Sequence, residues 1–591
     1  MAGAALVVTS SIVLAQNAPE SILPSTPAPE PAEQAPPNPS DPDGAVVQAV
    51  PQAPTRVDTS GFDTSDIPSA RELERMTSEE LDDLFGLQPR YDIPPAARRS
   101  TETIGVIGAG EGGLPSASLS RQPASLVQAA LEAMDGPVVS RWGHILLRRA
   151  LASRLEAPEG MGDIEFAALR AATLNAMGEH AVARALVQDV DTSNYNAALT
   201  TAALGAYLGT ADVVGACPIV RLGNVESEGL RWSMFEGICS AYAGETTSAQ
   251  NDLRRVLSRA EEDQRIDVLL AQRFAGAAGQ SRRAITIEWD GVEDMNPWRF
   301  AMANALGEPI PEGLADDLGP YYLKSAAVTP AIPVAQRLGS ADAAAQAGIL
   351  SASAMVDLYS QLYANRQEEE DSVWLTLATR LRDAYVAPAA SDRMSAIRDV
   401  WSDAEPDYAR QVLTAYAAAR LTPSSDFEAD AADLIASMLA AGLERDALRW
   451  SEIVDEGSEA WALLQFADPS DSVTVTDGQM ADFIADNSEA KSRMLLAGLA
   501  GLERIDSGDV AEYTDRLGVS FTAPTAWTRM IDGAAQADNA VLVSILAGLG
   551  MQGEGWERMT ARHLYHIVSA LRRVGLDAEA RMIAAEAVAR A

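Results

Sequence analysis

The feature that most constrains the fold is the spacing of apolar residues from about residue 116 to residue 591. Apolar side chains recur there every three or four positions, in stretches of about 12 to 20 residues that end at Gly, Pro or Asp-rich turns. The best strand candidates, residues 285–287 and 473–475, are too short to build a sheet. Aromatic residues make up only 6% of the chain while Ala recurs throughout, which favours closely packed helices. The pattern predicts an all-α fold.

The last segment of the chain illustrates the helical pattern. Four large apolar residues fall at positions i, i+3, i+4 and i+7, namely Leu564, Ile567, Val568 and Leu571. A second stripe follows Gly575 and contains Leu576, Ala580, Ile583 and Ala587. Because the link around Gly575 is short, the two predicted helices must be antiparallel neighbours.

Several predicted turns share one spacing, a Gly followed by an Ala five residues later. The glycines are Gly178, Gly244, Gly279, Gly442 and Gly575. This spacing resembles the middle of a tetratricopeptide repeat, where the Gly permits the turn and the Ala lets the second helix pack closely. The separations 178 to 244 and 244 to 279 lie near two and one multiples of the period of about 34 residues. The resemblance implies a right-handed superhelical stack of antiparallel helix pairs, a tetratricopeptide-like α-solenoid.

The segment from Arg121 to Glu245 also resembles uncharacterised secreted helical-repeat proteins of the bacterial envelope. The resemblance rests on SRWGHILLRRAL, RAATLNAMGEHAVARALV, ACP and GICSAYAGE, and it covers about a fifth of the chain. It carries no known activity.

The amino-terminal residues divide into three predicted segments. Residues 1–15 contain the apolar run AALVVTSSIVLA, which has signal-peptide length but no preceding Lys or Arg. The run is therefore a signal peptide whose basic start lies upstream, a weak signal, or an apolar tail. Residues 16–64 are Pro-rich and predict a disordered linker, either an envelope tether or an end without function. Residues 65–115 predict short helices and a Gly-rich loop.

The helical body divides into two predicted arrays, residues 116–295 and residues 296–591. Prolines interrupt the chain near the boundary, at Pro297, Pro309, Pro311, Pro320, Pro330 and Pro333. They predict either a seam between two arrays or several short helices with prolines in their first turns.

The charge balance excludes several classes of partner. The chain has 84 Asp and Glu against 45 Lys and Arg, a formal net charge of −39, so its field repels phosphate backbones and anionic lipid headgroups. We expect no nucleic-acid partner, and we expect protein partners in the cell envelope with basic or neutral surfaces. The acidic run at residues 368–371 is interpreted as solvated surface. No stretch of the mature chain is apolar for long enough to predict a transmembrane span.

The two cysteines of the chain, Cys217 and Cys239, are 22 residues apart with helical pattern on both sides. That spacing suits a structural disulfide between adjacent antiparallel helices, which is expected if the chain is exported to the periplasm. The alternative is two buried thiols that act as small apolar groups. The spacing excludes a CxxC metal or redox site.

Three further motifs suggest chemistry, but each has a simpler interpretation. Residues 108–113 match G-x-G-x-x-G, yet no βαβ pattern follows, so a glycine loop is favoured. Ser488 and Lys491 match S-x-x-K without its K-T-G partner motif, so a capped helix start is favoured. His563 and His566 share a helical face that suits two metal ligands, but nothing identifies a third. We predict no metal and no cofactor.

The sequence favours a non-enzymatic function. Four His and two Lys leave few general bases and nucleophiles, whereas helical repeats expose long binding surfaces. We therefore expect a periplasmic scaffold or adaptor that binds protein partners. The alternative is a lytic transglycosylase-like, cell-wall-active enzyme or its accessory subunit, because the Gly-Met-Gln at residues 550–552 weakly resembles part of that signature. The glutamate-serine pair that should precede it is not found.

Overall fold

A computed structural model describes residues 99–223, 229–278, 285–316, 318–366, 373–402, 407–553 and 555–591, which belong to one compact unit. The predicted segments 1–15 and 16–64 lie outside the described residues, as do residues 65–98 of the third segment. The acidic run at 368–371 lies outside them as well.

Helices dominate the described part of the chain, which confirms the predicted all-α class. It contains 27 α-helices and no β-strand, and its extended segments meet only at isolated β-bridges. Residues 473–475 contribute one such bridge, from Val475 to Ile505. No helix in these ranges is long and apolar enough to cross a bilayer.

The helices are short and are joined by short connections. The first nine are α1 (Ala124–Glu132), α2 (Arg141–Ala152), α3 (Asp163–Met177), α4 (His180–Gln188), α5 (Ala197–Gly209), α6 (Cys217–Leu222), α7 (Leu230–Tyr242), α8 (Thr246–Arg259) and α9 (Arg265–Ala278). The next nine are α10 (Pro297–Leu306), α11 (Glu312–Ala315), α12 (Pro320–Val328), α13 (Val334–Gln346), α14 (Ala352–Ala364), α15 (Val373–Val386), α16 (Ala390–Trp401), α17 (Tyr408–Ala419) and α18 (Ala431–Leu439). The last nine are α19 (Glu444–Leu448), α20 (Glu459–Ala467), α21 (Asp477–Asp486), α22 (Glu489–Gly501), α23 (Ser507–Arg516), α24 (Ala526–Gln536), α25 (Ala540–Gly550), α26 (Ala561–Arg573) and α27 (Asp577–Arg590).

The predicted glycine turns are present at four of the five positions, and the fifth, Gly279, lies outside the described residues. The four glycines have left-handed φ values of +88°, +93°, +71° and +75° for Gly178, Gly244, Gly442 and Gly575. A side chain at such a φ is strained, so Gly suits the end of each helix. The alanines five residues later are buried at Ala183, Ala249, Ala447 and Ala580.

Two of the six prolines near residue 300 are first helical residues, as in the sequence interpretation that places prolines in first turns. Pro297 and Pro320 are the first residues of α10 and α12, where the missing N–H costs no helical hydrogen bond. Contacts nevertheless cross the predicted boundary at residue 296. Ser325 Oγ on α12 donates a hydrogen bond of 2.6 Å to the carbonyl oxygen of Gly209 on α5. The division into two arrays stays a prediction.

The predicted hairpin near the end of the chain is confirmed as α26 and α27, and α27 also packs against distant helices. The predicted apolar residues of both stripes are buried. Helix α27 contacts α18, α20 and α22 as well as α26, and it also contacts α2, far earlier in the chain. Helices from both ends of the described chain therefore share one core.

Glu586 on α27 binds the first turn of α2. Its carboxylate accepts hydrogen bonds from Ser140 Oγ at 2.7 Å, from the Arg141 amide at 2.9 Å and from the Trp142 amide at 3.2 Å. Arg590 Nη1 donates a further bond of 2.7 Å to it. The first amides of a helix have no helical partner and lie at the positive end of its dipole, so a carboxylate stabilises them.

Arg141 extends this contact to three other helices. Its side chain is buried, and burial lowers its pKa from the usual range. Its Nη1 donates to the carbonyl oxygens of Ala345 and Leu350, which lie at the end of α13 and just before α14. Its Nε donates to the Ala440 carbonyl oxygen at the end of α18, at 3.2 Å. The start of α2 therefore joins α13, α14, α18 and α27.

Replacement of Glu586 by Gln tests this junction. We expect the free energy of unfolding to fall by about 3 kcal/mol, because the change removes a buried charge from Arg590 and from the α2 amides. The matched control is Glu579→Gln on the same helix, whose pair with Arg149 is partly exposed, so its loss should stay below about 1 kcal/mol. Urea denaturation measures both values. Equal losses would contradict a special role for Glu586.

Candidate functional site

A groove between α14 and α15 encloses a cavity of about 230 Å³. Each helix contributes side chains at positions i, i+3, i+4 and i+7, which one face of a helix brings into line. The lining residues are Val356, Tyr359, Ser360 and Tyr363 from α14 and Ala378, Leu381, Arg382 and Tyr385 from α15. This site was not predicted from the sequence. The i, i+3, i+4, i+7 spacing on both helices could have indicated it, but only if Tyr is counted with the apolar residues.

Arginines lie over the tyrosine rings at the edge of the groove. The guanidinium carbons of Arg366 and Arg382 lie 4.8 Å and 5.5 Å from the centre of the Tyr363 ring, and that of Arg420 lies 5.9 Å from the Tyr385 ring. These distances allow cation–π attraction, which holds the arginines over the rings.

Burial keeps two tyrosine hydroxyls of the groove neutral, those of Tyr359 and Tyr385. Tyr359 is buried, and its hydroxyl accepts a hydrogen bond of 2.8 Å from Arg410 Nη1. Burial raises the pKa of Tyr359 to about 12. Burial also raises the pKa of Tyr385, whose hydroxyl is buried without a hydrogen-bond partner among the described residues. The charges that line the groove or lie over its rings are therefore those of arginines.

Cys217 and Cys239 form a disulfide bond, which is consistent with the sequence prediction. It joins the first residue of α6 to α7, with a distance of 5.3 Å between the two Cα atoms. Cys239 is buried. The bond is part of the framework of packed helices and contributes no residue to the groove.

The glycine-rich residues 108–113 form a closed loop. The amide of Gly108 donates to the Glu111 carboxylate at 2.9 Å, and the amide of Gly113 donates to the Gly108 carbonyl oxygen at 2.9 Å. Residues 109–111 form a 3₁₀ turn, and the next α-helix begins only at residue 124. The loop therefore lacks the helix start that a phosphate site of this motif needs.

Ser488 and Lys491 are placed as a helix cap. Ser488 Oγ accepts a hydrogen bond of 3.1 Å from the Lys491 amide at the start of α22. The Lys491 ammonium lies 2.5 Å from the Glu459 carboxylate, so it is held in an ion pair.

The two neighbouring histidines, His563 and His566, have ring nitrogens within hydrogen-bond distance of other protein groups. His566 Nδ1 lies 2.8 Å from Asp532 Oδ1, and its Nε2 lies 3.0 Å from the Phe521 carbonyl oxygen. His563 Nδ1 lies 2.7 Å from Thr560 Oγ1. The described residues contain no group of three or more His, Cys, Asp or Glu placed to hold a metal ion.

Gln552 is the last residue of the Gly-Met-Gln that weakly resembles the transglycosylase signature. It makes a contact between distant parts of the chain. Its side-chain oxygen accepts from the amides of Asp135 and Gly136 at 3.1 Å and 3.0 Å. Its side-chain nitrogen donates to the Ala133 carbonyl oxygen at 2.9 Å. Through these three hydrogen bonds, Gln552 connects the end of α25 with the segment that follows α1.

A buried polar cluster that the sequence did not reveal lies where α3 meets α4. His144 Nε2 and Arg148 Nη1 each lie 2.9 Å from Glu179 Oε1. His180 is only 1% exposed, and its Nδ1 lies 3.0 Å from Asn175 Oδ1 while its Nε2 has no partner among the described residues. Burial lowers the pKa of His180 to about 4, so the ring is neutral at neutral pH.

Comparison with known proteins gives no relative on which to base a function. No protein-family model matches the chain, and neither a curated protein nor a solved structure matches it.

Loss of the disulfide should lower stability. Changing both Cys217 and Cys239 to Ala frees a loop of 22 residues in the unfolded chain, which should cost about 3 kcal/mol. Urea denaturation measures the loss, and adding reductant to the natural chain should reproduce it while leaving the variant unchanged. Two alkylatable thiols in the native oxidised protein would contradict the bond.

The buried His180 should make the fold sensitive to mild acid. Its folded pKa of about 4 lies below the ordinary value of 6.5, so near pH 5 the unfolded chain binds a proton that the folded chain excludes. The contribution is complete above the unfolded pKa and is lost as pH falls, by about 2 kcal/mol between pH 7 and pH 5.

Comparison of variants isolates this contribution from the many carboxylates. His180→Gln should reduce the loss of unfolding free energy between neutral pH and about pH 5 by roughly this 2 kcal/mol. The control is His563→Gln, whose ring is partly exposed and whose pKa burial lowers less, so it should change the pH dependence little. An unchanged pH dependence in His180→Gln would show that this ring does not carry the effect.

Proposed function

We propose that the chain is a non-enzymatic scaffold or adaptor of the cell envelope that binds protein partners through its helical surface. The observation that carries the proposal is the groove between α14 and α15, an apolar cavity bordered by Tyr and Arg. These residue types are enriched at the centres of protein interfaces, because they combine a large contact area with hydrogen-bonding groups.

The chemistry of the groove favours binding over catalysis. Its eight lining residues include no His, Cys, Lys, Asp or Glu, the side chains that most often act as general bases or nucleophiles at neutral pH. The hydroxyl of Ser360 has no such base among these lining residues to activate it. Burial keeps Tyr359 and Tyr385 neutral, and arginine keeps its charge throughout the physiological range.

Local packing supports a tetratricopeptide-like stack as the frame of this surface. In each of the groups α3 to α5, α7 to α9 and α24 to α26, all three helices contact one another, as neighbouring helices do in such repeats. Two of these groups contain a left-handed glycine turn followed five residues later by a buried Ala, at Gly178 and Gly244. We include this right-handed superhelical arrangement in the proposal.

The disulfide supports an envelope location. Disulfide bonds persist in oxidising compartments such as the periplasm and are rare in the cytosol. The signal-like run at residues 1–15 provides an export route, and the Pro-rich residues 16–64 provide the tether. The proposal therefore places the helical unit in the periplasm.

Site-specific crosslinking in the native host tests the adaptor function. A photoreactive amino acid at exposed Ser360, in the groove, should yield a discrete protein adduct in the periplasmic fraction. The control position is Ser258, which is exposed on α8, and it should not yield that adduct. Absence of a protein adduct, together with release of muropeptides from cell walls by the purified protein, would replace the adaptor function by the cell-wall enzyme.

A further inference from the structure

The buried arginines of the described residues bind backbone carbonyl oxygens, whereas the arginines of the groove are exposed. Arg581 Nη1 donates to the carbonyl oxygens of Phe466 and Ala467, and Arg170 donates to those of Leu151, Ser153 and Ile104. By contrast, Arg366, Arg382 and Arg420 are exposed at the groove. Their guanidinium groups therefore have N–H groups that can reach a ligand, although Arg366 Nη1 also donates a hydrogen bond of 3.2 Å to the Tyr363 carbonyl oxygen.

Two of these three charges have no ion-pair partner among the described residues, because no carboxylate there lies within ion-pair distance of Arg366 or Arg420. Arg382 lies 3.6 Å from Asp383, its neighbour in sequence, and both of these side chains are largely exposed. The formal net charge of the chain is −39. The described charges that lie over the tyrosine rings of the groove are nevertheless positive, because they are arginines.

The length of the groove limits the size of the ligand that it can hold. The lining residues span seven positions on each helix, about 11 Å at 1.5 Å per residue. Three residues of an extended peptide cover the same distance at about 3.3 Å each. The cavity itself has apolar walls and room for several water molecules, whose replacement by an apolar side chain is favourable.

We propose that the groove binds a short extended peptide segment of a protein partner, with an apolar centre of about three residues and carboxylates on either side. The apolar centre fills the cavity between Tyr359, Tyr363 and Tyr385. The flanking carboxylates bind the N–H groups of Arg366, Arg382 and Arg420. This inference rests on the proposed adaptor function and adds the chemistry of the partner.

In physiological salt, the charges close to the groove decide which peptide charge it prefers. At 0.15 M the Debye length is about 8 Å, so the arginines at the groove act on a bound peptide more strongly than the distant acidic surface does. The acidic run at residues 368–371 follows Arg366 in sequence and lies outside the described residues. A comparison of peptides on the full chain measures the net preference with that run present.

The test uses three synthetic peptides with the same Leu-Pro-Leu centre and two Glu, two Ser or two Lys on each side. A fourth peptide keeps the Glu flanks and replaces the centre by Ser-Ser-Ser. Calorimetric titration at neutral pH and about 0.15 M salt should rank the Glu-flanked apolar peptide first, about tenfold tighter than the Lys-flanked one. The Ser-centred peptide should bind at least about tenfold more weakly. A reversed or absent preference overturns the inference.

Variants then place the binding in the groove. Changing Arg366, Arg382 and Arg420 together to Gln should weaken the Glu-flanked peptide by about tenfold and leave the Ser-flanked peptide within about twofold. The control is Arg259→Gln, an exposed arginine on α8, which should change neither affinity by more than about twofold. Circular dichroism checks that the exposed substitutions leave the helices intact. An equal loss for both peptides, or an equal effect of Arg259→Gln, places the binding elsewhere and overturns the inference.

Failure of this inference and failure of the adaptor function give different results. If the peptides do not discriminate by charge while crosslinking at Ser360 still captures a discrete protein, the adaptor function stands and the assigned partner chemistry is wrong. If neither peptides nor crosslinking detect a partner at the groove, both fail.

Discussion

The contact between Glu586 and the start of α2 is the interaction on which the arrangement of the helices depends. A buried carboxylate loses much of its hydration, and only several hydrogen bonds to charged or dipolar donors repay that loss. Glu586 receives them from Ser140, from two amides of α2 and from Arg590. Because Arg141 in the same turn binds carbonyl oxygens beside α13, α14 and α18, one helix start fixes the relative positions of four other helices. Among these is α14, one wall of the groove.

Arginines that bind the ends of helices stabilise the fold of this acidic chain. The carbonyl oxygens at the end of a helix carry partial negative charge and lack helical partners, so a guanidinium that binds them contributes charge and hydrogen bonds together. Arg170, Arg504 and Arg581 bind such oxygens near the ends of α2 and α20. Five arginines of the described residues are therefore buried, whereas most acidic side chains there lie at the surface, with Glu179, Asp267 and Glu586 as buried exceptions. The groove departs from this division of charge.

The sequence predicted features that depend on neighbouring residues and missed features that depend on distant ones. Gly178, Gly244, Gly442 and Gly575 were identifiable because turn geometry and the packing of the following Ala are set within about six residues. The hairpin of α26 and α27 was identifiable for the same reason. Ser140 and Glu586 are 446 residues apart, and no local pattern reports such a pair. The sequence around His180 does not indicate its burial, which follows from the packing of Tyr321 and Gly209 around it.

The wide separation of Ser140 and Glu586 also has a consequence during synthesis. Ribosomes add about 5 to 20 residues per second, so a gap of 446 residues corresponds to a delay of about 20 to 90 s between the two. Throughout that delay the first turn of α2 has amides without their acceptor, and the surface that α27 covers is open to solvent. The nascent chain is therefore kept from reaching its final packing early, a property that suits the export proposed for this chain and leaves time for a chaperone to bind.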